Sequence, residues 1–162
     1  MKTIRYNTFE TNSSSTHSLV ISSESKPLEI LLDGKGRYHI KFRDFEGDAE
    51  QITSLSDKIA FLLQLSMQCL GYYYYSDARP LIPSEIEEEY SDLTELTLFR
   101  GIECALREIN PNCNGLVVDD FRGHIDHQTT LHYFKGEDFL NENCISLKDY
   151  LQGNVTLVAD HD

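Results

Sequence analysis

Two periods of apolar residues run along this chain. Residues 2–9 alternate loosely and predict a first strand, and Leu19-Val20-Ile21 predicts a short second one. Ser22-Ser23-Glu24-Ser25-Lys26-Pro27 reads as a loop. Residues 28–32 are apolar, Asp33-Gly34-Lys35-Gly36 supplies turn residues, and Tyr38-His39-Ile40-Lys41-Phe42 alternates again. Two β-type runs around a Gly-containing loop predict a hairpin. His39, inside that alternation, reads as an ordinary strand residue.

The period then changes to that of a helix. Ser54 with Asp57 three residues on makes a capping-box-like start, and Leu55, Ile59, Leu62, Leu63, Met67 and Leu70 recur near helical spacing. The pattern predicts a helix over 54–69. It runs into Gly71 and four consecutive tyrosines, which cannot share one face. Residues 76–91, with Pro80 and Pro83, read as loop. A second helix is predicted from near Asp92, with Glu95 completing a capping box and Leu93, Leu96, Phe99, Ile102, Leu106 and Ile109 as its stripe. Asn110-Pro111-Asn112 ends it.

Leu116-Val117-Val118 then predicts a buried strand, and residues 124–133 a partly alternating one. Asp138-Phe139-Leu140 and Leu147-Lys148-Asp149-Tyr150-Leu151 predict short helices, with Gly153 as a cap. Val155-Thr156-Leu157-Val158 predicts a last strand. Strands, two helices and more strands imply an α+β fold, with a mixed or antiparallel sheet packed against two main helices. The 162 residues fit a single compact domain over 1–162. No charged-then-apolar leader and no membrane-length apolar run is present, so the expectation is a soluble cytoplasmic protein with no membrane partner. Four scattered cysteines without a Cys-x-x-Cys pair read as thiols, with Cys69 and Cys104, in the helices, expected in the core.

Charge narrows the function. The 27 acidic residues outnumber 14 basic ones, a formal charge of -13, which argues against direct nucleic-acid binding. Part of the acid lies in Glu85-Ile86-Glu87-Glu88-Glu89. One reading is a solvated surface; the sharper one is a surface that docks on a basic partner protein through Glu85, Glu87, Glu88 and Glu89. Tyr73 and Tyr74 would add contact area at low entropic cost, unless the tyrosines only cover neighbouring core.

Two polar constellations compete with the acidic face. Glu10-Thr11-Asn12-Ser13-Ser14-Ser15-Thr16-His17-Ser18 is a continuous polar run. Its short hydroxyl and amide side chains favour a turn or cap over a regular element. Asn12, Ser13 and Ser14 are candidate binding residues there. The other is Arg122-Gly123-His124-Ile125-Asp126-His127-Gln128-Thr129. Imidazole and carboxylate ligate zinc and also serve acid–base work. On a regular strand His124 and Asp126 face away from His127, so convergence needs a turn or bulge at Gly123. His17, Cys113, His124 and His127 are the candidate zinc ligands, with Asp160 or His161 able to reach in from the end of the chain. No phosphate-binding glycine loop, His-Glu-x-x-His or Gly-x-Ser-x-Gly occurs.

The stretch Arg5-x-Asn7-x-Phe9-Glu10-Thr11-Asn12-Ser13-Ser14-Ser15-Thr16-His17-Ser18 resembles the N-terminus of an uncharacterised family of small bacteriophage and bacterial proteins. Ile125-Asp126-His127-Gln128 is similar to a segment after a late strand in that family, as is the terminal strand with acidic residues at 155–162. The resemblance covers about thirty residues of the chain. It implies a phage or mobile-element setting, and that His17 and Asp126-His127 share one site. Two functions fit. One is an acidic interaction protein that occupies the basic nucleic-acid-binding surface of a host defence nuclease, in the manner of an anti-CRISPR, with zinc at most structural. The other is a metal- or His-dependent hydrolase or transferase on a nucleotide or phosphorylated substrate, with His17, Asp126, His127 and Ser15 as its catalytic groups.

Overall fold

The computed structural model describes residues 4–10, 15–21, 28, 30–45, 51–71, 90–125, 136–152 and 155–161. The fold is α+β. Strands β1 (Ile4–Glu10) and β2 (Ser15–Ile21) pair antiparallel, and β6 (Val155–His161) pairs antiparallel along the whole other edge of β2, from Ser15↔His161 to Ile21↔Val155. The two-residue β4 (Gln51–Ile52) joins the far edge of β6, giving the order β1-β2-β6-β4. A second sheet consists of β3 (Arg37–Lys41) and β5 (Gly115–Asp120), which run parallel.

Both described ends of the polar run near the N-terminus are strand, and residues 11–14, where a turn is expected, lie outside the described residues. Glu10 closes β1, and Ser15 to Ser18 open β2, a central strand of its sheet. Ladder hydrogen bonds on both edges outweigh the local side-chain bonds that hydroxyls offer an isolated backbone. The predicted hairpin at 28–42 is also recast. Asp33 Oδ1 accepts from the backbone N–H of Lys35 and of Arg37, both at 2.8 Å, and so shapes the turn. Among the described residues the arm before it pairs through the bridge Leu32↔Tyr38, while the ladder of β3 belongs to β5. Parallel pairing needs a long crossover, which the two main helices supply.

Helix α1 (Leu55–Cys69) begins where the capping pattern placed it, with Ser54 Oγ accepting from the Asp57 N–H at 3.0 Å. Its burial goes beyond the predicted stripe. Every residue from Lys58 to Met67 is buried, so the helix runs through the interior rather than along a surface. The buried polar side chains of α1 are each bonded, as burial demands. Lys58 Nζ donates to the Gln152 carbonyl at 2.6 Å, and the Gln64 amide clasps the Arg43 backbone at both N–H and C=O. Ser66 Oγ accepts from the Gly136 N–H at 2.9 Å. A Cβ on Gly136 would lie 2.5 Å from Leu98 and 2.7 Å from the Leu62 carbonyl, so only glycine allows this approach to α1. Leu70, expected on the stripe, caps the helix and is exposed.

The second helix is in two pieces. Residues 90–95 are helical, starting inside the expected loop, Leu96 is extended (φ -61°, ψ 132°), and α2 (Thr97–Ile109) follows. Leu93 and Leu98 are both buried, yet five residues of straight helix would set them about 140° apart. The break re-phases the stripe so both reach the core. Asn110 ends α2 in an extended conformation before Pro111, as predicted.

Helices α3 (Gly136–Glu142) and α4 (Leu147–Leu151) complete the structure, with Gln152 at the C-cap of α4. Gly153, the expected cap, and residues 126–133 of the predicted late strand lie outside the described residues. The buried side chains form one hydrophobic cluster that includes Ile52, Val155 and Leu157 of the four-stranded sheet. Edge-to-face rings run through it from Phe45 to Phe61, Phe139 and Tyr150, at centroid spacings of 5.5, 5.5 and 6.0 Å. The cysteines invert the expectation: Cys69 and Cys104 are exposed, and Cys113, in the turn before β5, is buried. Cys69 ends α1 where the helix emerges, and Cys104 lies off the buried stripe of α2.

Candidate functional site

Two clusters of ionisable side chains sit on the parallel pair. The first lies where the chain leaves the carboxyl ends of β3 and β5, the end at which parallel sheets offer their crevice. Phe42, Phe45, Phe121 and Ile125 are buried here, and the polar residues between them turn outward. Phe42 N–H donates to the Asp120 carbonyl at 2.8 Å and Phe45 N–H to the His124 carbonyl at 2.9 Å, so the two exits stay side by side. Asp44 Oδ1 accepts from the His124 backbone N–H at 3.1 Å and faces its Nδ1 at 3.0 Å. One carboxylate oxygen thereby sets both the backbone and the ring of His124.

Arg43 frames this pair. Its guanidinium lies 4.1 Å over the Phe45 ring and 3.4 Å from Asp57 in the first turn of α1, and it donates to the Asp44 carbonyl at 2.9 Å. Gly123 makes the close packing possible. Its φ is +149°, and a Cβ there would come within 2.5 Å of the Arg43 backbone. The chain thus leaves regular strand geometry at Gly123, as convergence of this segment requires. Asp120 accepts from Arg122 Nε at 2.9 Å, and this bond holds its carboxyl below the usual range.

The second cluster is on the outward face of the same strands. His39 Nδ1 lies 2.9 Å from Asp119 and Nε2 lies 3.1 Å from Asp33. Asp33 also takes Arg37 Nε at 2.8 Å. The bond to Asp119 and then that to Asp33 raise the His39 pKa. Reading His39 as an ordinary strand residue holds for its backbone and fails for its ring. Its partners are 6 and 80 positions away, and no local pattern announces them.

The predicted site residues are distributed as follows. Ser15 and His17 lie in β2, in register with His161 and Ala159 of β6. Ser15 to Ser18 of the polar run are thus held against β6. Asn12, Ser13, Ser14, Tyr73, Tyr74, Glu85, Glu87, Glu88, Glu89, Asp126 and His127 lie outside the described residues. Cys113 and His124 do not share a centre. Cys113 precedes β5 and His124 follows it, and the six-residue strand between them spans about 17 Å. Two ligands of one zinc ion lie within roughly 5 Å of each other. The Cys113 Sγ instead faces the Gly115 carbonyl at 3.6 Å, in the core. Among the described residues no group of three His, Cys, Asp or Glu is placed to hold a metal ion.

Sequence reasoning missed Arg43, Asp44 and Asp57 around His124, and Asp33 and Asp119 around His39. Asp44 lies 80 positions from His124, so only tertiary structure joins them. No described helix is long and apolar enough to cross a membrane. The chain matches no protein-family model, no curated protein and no solved structure.

Proposed function

We propose that this protein is a small acidic interaction module, acting without catalysis, that docks on the basic nucleic-acid-binding surface of another protein. In the phage setting that its N-terminal resemblance implies, the partner is a host defence nuclease and the effect is inhibition. The observation that carries this reading is how the cations are used. Against a formal charge of -13, Arg37, Arg43, Arg107, Arg122 and Lys148 are each committed to an acid of the same chain. Lys58 is buried. Lys35, Lys41 and Arg100 are exposed, but the cations spent on internal ion pairs leave the acidic excess to dominate the field, which speeds encounter with a basic partner and sets its orientation. The test is binding to nucleic-acid-dependent nucleases with and without competing DNA or RNA, at rising salt. Affinity is expected to fall at least about tenfold as salt rises from low to physiological strength, because screening shortens to about 8 Å. Replacing Glu85, Glu87, Glu88 and Glu89 by Gln is expected to weaken it further. Binding indifferent to both changes overturns the reading.

A second reading is supported by the placement of His124. An imidazole oriented by a carboxylate at the carboxyl ends of parallel strands suits a metal-dependent or acid–base hydrolase or transferase of phosphorylated substrates. His127 and Asp126 follow it in sequence, and His17 and Ser15 would complete the set. Zinc analysis of the purified protein, with phosphatase and nucleotidase assays of the wild type and His124→Ala, separates the two readings. Metal-free protein without turnover leaves the interaction module.

A further inference from the structure

The imidazole on the outward face of β3 has a carboxylate at each nitrogen. His39 Nδ1 stands 2.9 Å from Asp119 Oδ1, and Nε2 stands 3.1 Å from Asp33 Oδ2. An ionised carboxylate only accepts hydrogen bonds, so each contact requires an N–H on the ring. A neutral imidazole carries one N–H and an imidazolium two. The observed geometry therefore belongs to the charged ring. We propose that His39 is a proton-operated latch: as imidazolium it ties the turn at 33–36 to β5, and on losing a proton it releases the turn while staying bonded to Asp119.

Which arm lets go follows from the other donors on each carboxylate. Asp33 is supplied independently by the N–H groups of Lys35 and Arg37 and by Arg37 Nε, each at 2.8 Å. Those bonds, the Arg37 N–H first, keep it ionised far below the usual carboxylate range. Among the described residues, His39 is the donor that reaches Asp119. The single proton of a neutral ring is therefore worth more on Nδ1, facing Asp119. Nε2 then turns a lone pair towards an oxygen that also carries lone pairs, and the 3.1 Å contact becomes repulsive. The ring swings away from the turn.

The surroundings make the proton the controlling variable. Asp119 of β5 and Asp33 of the turn are the charged groups acting on the ring among the described residues, and Arg37, on β3 itself, reaches it through Asp33. With the ring protonated, Asp33, Arg37, His39 and Asp119 are together neutral. Without that proton they carry one net negative charge. The turn has further ties at Asn114, whose N–H donates to the Gly36 carbonyl at 2.7 Å and whose side chain donates to that of Lys35 at 3.2 Å. Release therefore shifts the turn locally and leaves the core intact. This goes beyond the docking reading and does not depend on it.

The test is a pH titration of the full chain labelled with nitrogen-15, following the ring nitrogens of His39 and the backbone amides of Lys35, Gly36 and Arg37. The expected result is both nitrogens protonated at low pH, a midpoint above 6.5, the Nδ1–H tautomer above that midpoint, and turn amides that move with it. A midpoint at or below 6.5, a proton retained on Nε2, or turn amides that ignore the midpoint would each overturn the latch. Asp119→Asn, at an exposed position, is expected to lower the midpoint by about one pH unit by removing one of the two opposing charges. An unchanged midpoint in that variant also overturns it. If the variant does not fold, the wild-type titration decides alone.

Discussion

His39 and His124 each lie about 3.0 Å from an aspartate on the same pair of strands, yet the two sites are built differently. His39 takes a carboxylate at each ring nitrogen and no help from its own backbone. At His124 one oxygen of Asp44 serves both the backbone N–H and the ring. Two carboxylates favour the charged form of the His39 ring, and at His124 the shared oxygen fixes the ring against its own backbone. Local sequence marks His124, in a polar cluster, as a candidate ligand and leaves His39 as an ordinary strand residue; the carboxylates around His39 come from the tertiary structure. The placement of partner carboxylates shapes the role of an imidazole, and it is not a local property of the chain. Lys58 extends the contrast to a cation that, among the described residues, has burial in place of ion pairs. Its Nζ has the Gln152 carbonyl as acceptor, and burial lowers its pKa to about 8.

The largest expected effect comes from Gly123→Ala. Strain at a φ of +149° and a clash with the Arg43 backbone should cost about 3 kcal/mol or more and uncouple His124 from Asp44. Denaturant melts measure the cost, and the His39 titration should survive in whatever fraction folds. Next is Lys58, whose sign opposes that of His39. Its folded pKa lies below its unfolded one, so the unfolded chain binds more protons between pH 8 and 10.5. Stability should therefore rise across that window, by up to about 3 kcal/mol. Lys58→Met should abolish the rise. His39, raised in the fold, contributes stability that is full below pH 6.5 and lost as pH climbs through its folded value. His39→Gln should remove that loss from thermal melts taken across neutral pH.

Smaller effects sharpen the second histidine. Asp44→Ala removes the acceptor of the His124 N–H and ring, and is expected to cost about 1–3 kcal/mol in chemical denaturation. Asp57→Asn loosens a partly exposed contact with Arg43 at 3.4 Å, and is expected to cost less than about 1 kcal/mol. A larger loss at Asp57 than at Asp44 would show that Arg43, rather than Asp44, organises this end of the sheet.

Much of the fold was legible in the chain. The Ser54 cap and the apolar spacing located α1, Pro111 located the end of α2, alternation located β3, and the apolar run 116–118 located β5. What the pattern concealed were relations between elements. The burial of Lys58, Gln64 and Ser66 depends on neighbours packed around α1, which a one-sided stripe does not record. The break at Leu96 exists because Leu93 and Leu98 answer to the same core. Ser15 to Ser18 became strand because β1 and β6 flank them, although short hydroxyl side chains by themselves favour a turn.

By itself the sequence determined the α+β class, most of the elements, the acidic balance and the suspicion that fell on His17 and His124. Those follow from side-chain chemistry and from periods of two and 3.6 residues, which act over short range. Tertiary structure alone decided that β3 pairs parallel with β5, that Cys113 and His124 stand apart, and that Asp33, Asp44 and Asp119 meet histidines distant in the chain. Such choices depend on which distant segments share a core and a ladder, and the free energy of that sharing has no counterpart in any local stretch of residues.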